Sequence, residues 1–258
     1  GQWKMGAASR WWLHHSLVAL AEDIGKAGNT LILRRGAARD AVPQAVAECG
    51  ASAVYFSRGY EPHAVALEAE LKTSLEQRGV ACRRFAGALL REPEDVRTKA
   101  GDVFKVYTPF WRALSADFQV PKPIAAPTKI TPLAKPLKSD KLASFALLPR
   151  KPDWSSGLAA EWQPGEAGAL TRLDAFLDGP LKDYADARNR PDLHGTSRLA
   201  PHLHFGEITP ALCWYRASQS AARMPGSDKG HETFLKEIVW REFAHTLLFY
   251  WPNLPEAP

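Results

Sequence analysis

Between Tyr184 and Pro210 the chain reads Tyr-Ala-Asp-Ala-Arg-Asn-Arg-Pro-Asp-Leu-His-Gly-Thr-Ser-Arg-Leu-Ala-Pro-His-Leu-His-Phe-Gly-Glu-Ile-Thr-Pro. Apolar residues here repeat with neither strand nor helix period, so burial in a regular element does not dictate the residue types. The Gly195-Thr196-Ser197 turn offers backbone N–H groups and two hydroxyls beside the Arg198 cation, and all of these complement a phosphate. The same residues also suit a polar loop whose Thr or Ser caps a following helix; for a Thr-Ser pair alone, capping is the stronger reading. A second stretch, Phe234-Leu235-Lys236-Glu237-Ile238-Val239-Trp240-Arg241-Glu242-Phe243, is apolar nearly all round a helix and is expected to be buried on most sides. Glu237, Trp240 and Arg241 fall at i, i+3 and i+4 and share one face. They could be a surface Glu–Arg pair beside a core tryptophan, worth a few tenths of a kcal/mol, or a cavity wall for a flat, hydrogen-bonding ligand. His202 and His204 sit two apart, as a metal pair on a strand would. No Cys, Asp or third His lies at a supporting distance, so no metal site is expected, and His14-His15 read as packing and surface.

Both stretches closely resemble the DNA photolyase and cryptochrome family, and most of all its class I cyclobutane pyrimidine dimer photolyases. The resemblance continues through His245, Pro252 and the Leu254-Pro255-Glu256-Ala257-Pro258 ending, and includes Phe104-Lys105-Val106-Tyr107-Thr108-Pro109-Phe110-Trp111. It implies that FAD is held by Tyr184, Thr196, Ser197, Arg198, Leu199, Ala200 and Arg241. It further implies that Glu237 and Trp240 are the catalytic residues that meet the damaged bases, and that Arg188 faces DNA with them. Family members usually carry serine where this chain has Ala200, so a hydroxyl contact is lost there while the backbone N–H remains. The implied reaction is light-driven splitting of a flipped-out pyrimidine dimer by an electron from reduced FAD. A cryptochrome-type blue-light receptor and a (6-4) photolyase are the alternatives; having both Glu237 and Trp240 favours dimer repair. His63-Ala64 stands where folate-antenna members have Asn-Glu, which argues against folate; a second antenna chromophore of another kind, or none, stays open. The implied partner is single- or double-stranded DNA containing pyrimidine dimers, met by a monomer.

Composition agrees without leading there. The 258 residues are 45% hydrophobic and include nine tryptophans, enough for one large or two ordinary cores. Cys49, Cys82 and Cys213 have no CxxC spacing, which argues against a disulfide scaffold and suits a reducing compartment. No apolar run approaches the ~20 residues of a membrane span and no signal peptide is visible, so a soluble, cytoplasmic protein without membrane contact is expected. Residues 121–151 hold seven Lys or Arg against Asp140, a local charge of +6 that leaves the rest of the +5 chain near −1. That stretch suits a solvated connector at least as well as a phosphate contact.

The elements needed to position these residues can be read in turn. A helix is expected from Ser9 as N-cap to about Lys26, then a strand at Thr30-Leu31-Ile32-Leu33, and a helix from about Asp40 with Pro43 in its first turn, ending at Gly50. Next come a strand at Ala53-Val54-Tyr55-Phe56, a helix over 62–77 and a strand over 80–85. Strand–helix–strand repetition predicts a parallel sheet covered by helices. Absence of GxGxxG and of a Walker lysine loop excludes a standard dinucleotide or P-loop domain. Seven prolines from Pro121 to Pro152 predict an extended connector. Helices are expected from Glu166, with Thr209-Pro210 as N-cap and first position of one. The expected organisation is an α/β, Rossmann-like antenna domain over 1–115, a connector over 116–165, and an all-α FAD-binding domain over 166–258. The resemblance implies that the first strands of the α/β domain and the second half of the helical domain are missing, so that this fragment alone is inactive.

Overall fold

The strands Ala53–Ser57 (β1) and Ala81–Phe85 (β2) pair in register, the Ala81 N–H donating to the Ser52 carbonyl and the Arg58 N–H to the Phe85 carbonyl, each at 2.9 Å. Both partners advance together along the chain, so the two-stranded sheet is parallel. This computed structural model describes residues 4–256; residues 1–3, and 257–258 at the end of the Leu254-Pro255-Glu256-Ala257-Pro258 stretch, lie outside the described residues. In chain order the elements are α1 (Ala7–Lys26), α2 (Ala38–Cys49), β1, α3 (Pro62–Glu76), β2, α4 (Tyr107–Ala116), a 3-10 turn at Leu142–Phe145, α5 (Ser156–Glu161), α6 (Glu166–Leu177), α7 (Pro180–Ala187), α8 (Ala200–His204), α9 (Pro210–Ala221) and α10 (Asp228–Tyr250). Helices alone follow Glu166, giving an α/β part and then an all-α part. No helix among the described residues is long and apolar enough to cross a membrane.

Three local expectations shift. The apolar run Thr30-Leu31-Ile32-Leu33 is extended but is not a strand. Its neighbour is the proline-rich connector, which makes scattered bonds: Ile130 N–H to the Ala27 carbonyl, Asp140 N–H to the Leu33 carbonyl, and the Ser139 hydroxyl accepting from Leu33 N–H. Pro132 and Pro136 have no N–H to donate, so no continuous ladder forms there. Helix α1 begins at Ala7 with Gly6 as N-cap, because Ala7 and Ala8 are strong helix formers; Ser9 therefore sits inside the first turn. Helix α2 likewise starts upstream at Ala38, which leaves Pro43 in its interior; Gly50 ends it in the left-handed region at φ 67°.

The described residues form two compact units, 1–56 with 66–84 and 124–170, and 57–65 with 85–123 and 171–258. In the first unit, Trp11 and Trp12 of α1 are buried, and Trp12 meets Trp162 edge-on at 5.4 Å. Leu71 and Leu75 of α3 complete that core. In the second unit α10 is central and packs on α4, α7 and α9. Phe234, Leu235, Ile238, Val239, Glu242 and Phe243 are its buried middle, against Phe110 and Leu114 of α4, Leu181 and Tyr184 of α7, and Cys213 and Ala217 of α9. Each large side chain buried in this way contributes ~1.5–3 kcal/mol. Thr209 caps α9 as its sequence predicts, the hydroxyl accepting from Leu212 N–H at 3.1 Å with Pro210 in the first turn.

Helices α7 and α10 touch backbone to backbone at Gly230, where a Cβ would lie 1.9 Å from the Leu181 carbonyl oxygen. Helix propensity alone favours Ala over Gly by ~1 kcal/mol, but this contact reverses the sign. Gly230→Ala is expected to destabilise the protein by about 1–3 kcal/mol or more. Gly157→Ala in α5, where a Cβ meets nothing within 4 Å, is expected to be neutral or mildly stabilising. Chemical denaturation of the two variants checks the contrast.

Candidate functional site

The segment that leaves α7 at Arg188 and enters α8 at Ala200 is set by two backbone features. Gly195 is buried against α7, and a Cβ there would lie 2.6 Å from the Ala187 Cβ and 2.8 Å from its carbonyl oxygen. Arg198 adopts φ 52°, the left-handed region that costs a non-glycine residue ~1–2 kcal/mol. Leu199 follows in the right-handed region at φ −86°, ψ −6°, and it caps α8 without any side-chain bond. The Thr-Ser pair is thus not a cap. Successive residues of opposite hand aim neighbouring N–H groups to the same side, which makes an anion-binding concavity. Thr196 is exposed, Ser197 and Arg198 are half-buried, and Leu199 is buried.

Beside this turn lies a cavity of about 820 Å³ wholly within the second unit. This is within the range of small-molecule and cofactor sites, ~300–1,000 Å³. Tyr184, Ser197, Leu199, Ala200, Glu237 and Arg241 line it; Thr196, Arg198, Arg188 and Trp240 do not. Tyr184 is buried edge-on against Phe176 and Phe234 at 5.3 and 5.7 Å. Burial, with the Glu237 charge second, raises its pKa, so the phenol stays a protonated donor. Glu237 does not pair with Arg241 one turn on; it bonds Arg188 at the end of α7. Arg241 instead donates to the Ala88 carbonyl at 2.6 Å. Nor is Trp240 a core residue: it is 46% exposed, with one face stacked on Tyr107.

The far wall was not foreseen. It comes from the loops after β1 and β2, including Arg58, Tyr60, Gly87 and, from α10, His245. Arg58 is buried, and its two terminal nitrogens pair with Glu92 and with Glu94, the latter at 2.6 and 2.9 Å, while its Nε has no hydrogen-bond partner among the described residues; the Tyr60 hydroxyl donates to Glu92 at 2.8 Å. A buried guanidinium needs such paired carboxylates to offset its desolvation. His245 Nδ1 lies 2.9 Å from the Arg241 carbonyl, which can only accept, so this nitrogen carries the proton. Burial lowers the His245 pKa and keeps the ring neutral. The available signal was the parallel sheet, since ligands collect beyond the carboxyl ends of such strands. His202 is buried against Glu207 at 2.6 Å, a structural pair holding the turn after α8, whereas His204 lines the cavity.

Glu242, buried in the core next to Arg241, does not itself line the cavity. Its Oε2 accepts from Leu90 N–H at 2.6 Å, so Arg241 and Glu242 together grip the loop that supplies Gly87 and Ala88 to the cavity. Burial pushes its pKa up to about 8, against the opposing pull of the Leu90 N–H and of Arg241.

The sequence profile of a family described as DNA photolyase matches residues 1–129, half of the chain. The chain belongs to the DNA photolyase family. A deoxyribodipyrimidine photo-lyase of Agrobacterium fabrum is 43% identical over 98% of the photolyase-family chain and 52% of its own length. Cryptochrome-1 of Arabidopsis thaliana is 33% identical over all of this chain and 39% of its own. The crystal structure of a bacterial class III photolyase from Agrobacterium tumefaciens superimposes with a TM-score of 0.92 at 43% identity, covering 97% of this chain and 52% of that one. That relative is class III, where the sequence resemblance was drawn to class I. The chain spans about half the length of the curated photolyases it matches.

A raised folded-state pKa means that the native protein binds the extra proton, so the Glu242 contribution is full below the ordinary carboxylate value and is lost as pH rises through about 8. Glu242→Gln keeps an acceptor for the Leu90 N–H and removes this titration. The variant is expected to be less sensitive to alkali and more stable than wild type above that value; urea midpoints across a pH series check it.

Proposed function

We propose that this chain supplies the phosphate cradle, one cavity wall and the lesion-facing surface of a photolyase that uses FAD and light to split cyclobutane pyrimidine dimers in DNA. The observation that carries the reading is the Ser197–Leu199 turn, held strained at Arg198, opening onto a cavity whose walls alternate apolar faces with donors. Strain of this kind persists where surrounding contacts over-determine it, and it concentrates at binding sites. The residues fit the cofactor: N–H groups and hydroxyls of Thr196, Ser197 and Leu199 with the Arg198 charge suit its pyrophosphate, Ala200 adds an N–H, and Tyr184 and Arg241 offer donors to its polar edges. The chemistry that FAD supplies in such a site is light-driven transfer of one electron to the dimer, which returns after the ring splits.

The remaining work belongs to side chains. A dimer is already weakly paired, so flipping it out of the duplex costs little. The open face of Trp240 stacks on it, a contact worth ~1–3 kcal/mol per base. Arg188 takes a neighbouring phosphate, which fixes register without reading sequence. That exchange frees the Glu237 carboxylate to accept an imino N–H of the dimer. The photo-lyase name of a relative at 43% identity supports repair, and the Cryptochrome-1 relative is the specific reason to keep a light-receptor reading as second.

Two measurements test this. Gly195→Ala, which forces the turn away from α7, is expected to weaken FAD binding at least tenfold by quenching of flavin fluorescence. In a full-length photolyase that carries this chain, reduced flavin and blue light are expected to restore the thymine absorbance of a thymine-dimer oligonucleotide. Trp240→Ala should weaken dimer binding about 5- to 150-fold, and Glu237→Ala should slow splitting about 10- to 100-fold. Bound flavin without recovery moves the assignment to a cryptochrome or another lesion. A protein that takes up no flavin refutes the reading of Tyr184, Ser197 and Arg198 itself.

A further inference from the structure

An exposed tryptophan on a helix ordinarily samples several rotamers, and each costs binding energy to freeze. Trp240 is different. Its ring lies 3.7 Å, centroid to centroid, from the ring of Tyr107, with the planes only 6° apart. Phe243, one turn further along α10, meets the indole edge-on at 5.9 Å and meets Tyr107 edge-on at the same distance. Tyr107 opens α4, and its own position is fixed at the far end of the ring: its hydroxyl donates to the Lys236 carbonyl at 2.6 Å. In a regular helix that carbonyl also receives the N–H of residue 240. The phenol is therefore anchored on the turn of α10 that carries the indole, and ring and backbone of Trp240 are referenced to one another through a single side chain. Burial raises the Tyr107 pKa, with the Glu237 charge second, so the hydroxyl remains a donor.

We propose that Tyr107 is a positioning residue: it covers one face of the Trp240 indole and holds the ring in the plane from which its open face stacks on a nucleobase. This rests on the reading of Trp240 as the base-stacking residue. A preset plane removes the ordering cost that binding would otherwise meet, and one immobilised side chain corresponds to about a two- to tenfold change in affinity. The hydroxyl contributes less than the ring, because Phe at this position keeps the covered face and the contact with Phe243.

The test is a double-mutant cycle read by equilibrium binding of an oligonucleotide that carries one thymine dimer, with a thermal melt for every variant. Tyr107→Ala is expected to weaken binding about two- to tenfold, and Tyr107→Phe to bind within about twofold of wild type. In a Trp240→Ala background, Tyr107→Ala is expected to add nothing, because the residue acts only through the indole. Should Tyr107→Ala fail to fold, Tyr107→Leu, which keeps bulk without a flat face, replaces it against Tyr107→Phe. Losses that simply add in the double variant would overturn the proposal, since Tyr107 would then be acting elsewhere. Wild-type binding by Tyr107→Ala beside weak binding by Trp240→Ala would also overturn it, while leaving the stacking role of Trp240 intact. Wild-type binding by Trp240→Ala would instead sink the reading of Trp240 on which the proposal rests.

Discussion

Helices α7 and α10 meet at a point where neither can carry a side chain between them. Gly230 sits against the Leu181 carbonyl, and this backbone contact fixes the register of the pair. The offset of 49 residues recurs where Arg188 bonds Glu237, and Tyr184 meets Phe234 between those points. The two helices therefore run side by side in the same direction, and a register chosen at the first contact delivers Tyr184 to the cavity and Arg188 to the carboxylate. Gly195 repeats the device one step later by pressing the following turn onto Ala187. Much of the candidate site hangs on two places where a methyl group has no room.

One helix then does three kinds of work. The buried residues of α10 at 234, 235, 238, 239, 242 and 243 are core. Glu237 and Arg241 line the cavity, and Trp240 lies half-exposed on its stacking partner. Residues such as Glu232, Trp240 and Ala244 leave α10 a solvent-facing stripe, and the polar residues that turn inward from it each find a specific partner. Arg241 takes the Ala88 carbonyl, Glu242 the Leu90 N–H, and Glu237 the Arg188 guanidinium. Two of these partners belong to the segment after β2, which ties the walls of the cavity to a single element.

What could be read from the chain divides by range. Thr209 as a cap, Gly50 as a helix stop and the helix limits of α3 depend on neighbours within a turn, and their chemistry is visible locally. The mostly apolar middle of α10 and the presence of a turn at Gly195-Thr196-Ser197 were legible for the same reason. Thr30-Leu31-Ile32-Leu33 was not, because a strand exists only through its partner and the partner here is rich in proline. Helical spacing nominated Arg241 as the mate of Glu237, but a residue 49 positions away lies closer in space. Arg58 and Tyr60 were not nominated for the site, and His245 was noted only within the family resemblance, because the wall they share is assembled by the fold from segments far apart in the chain. The stacking of Trp240 on Tyr107 joins residues more than a hundred positions apart and leaves no periodic trace.

The two compact units are interleaved along the chain. The backbone passes from one to the other after Phe56, Val65, Arg84, Pro123 and Leu170. Severing the backbone at any one of these passages leaves four others intact, so no single nick can release either unit. A contiguous gene segment cannot encode one of them alone. Each unit also includes chain that lies beyond the first segment of the other, so neither is complete in sequence before part of the other is present. Residues from 171 onward bring every helix that lines the cavity beyond its strand-end loops.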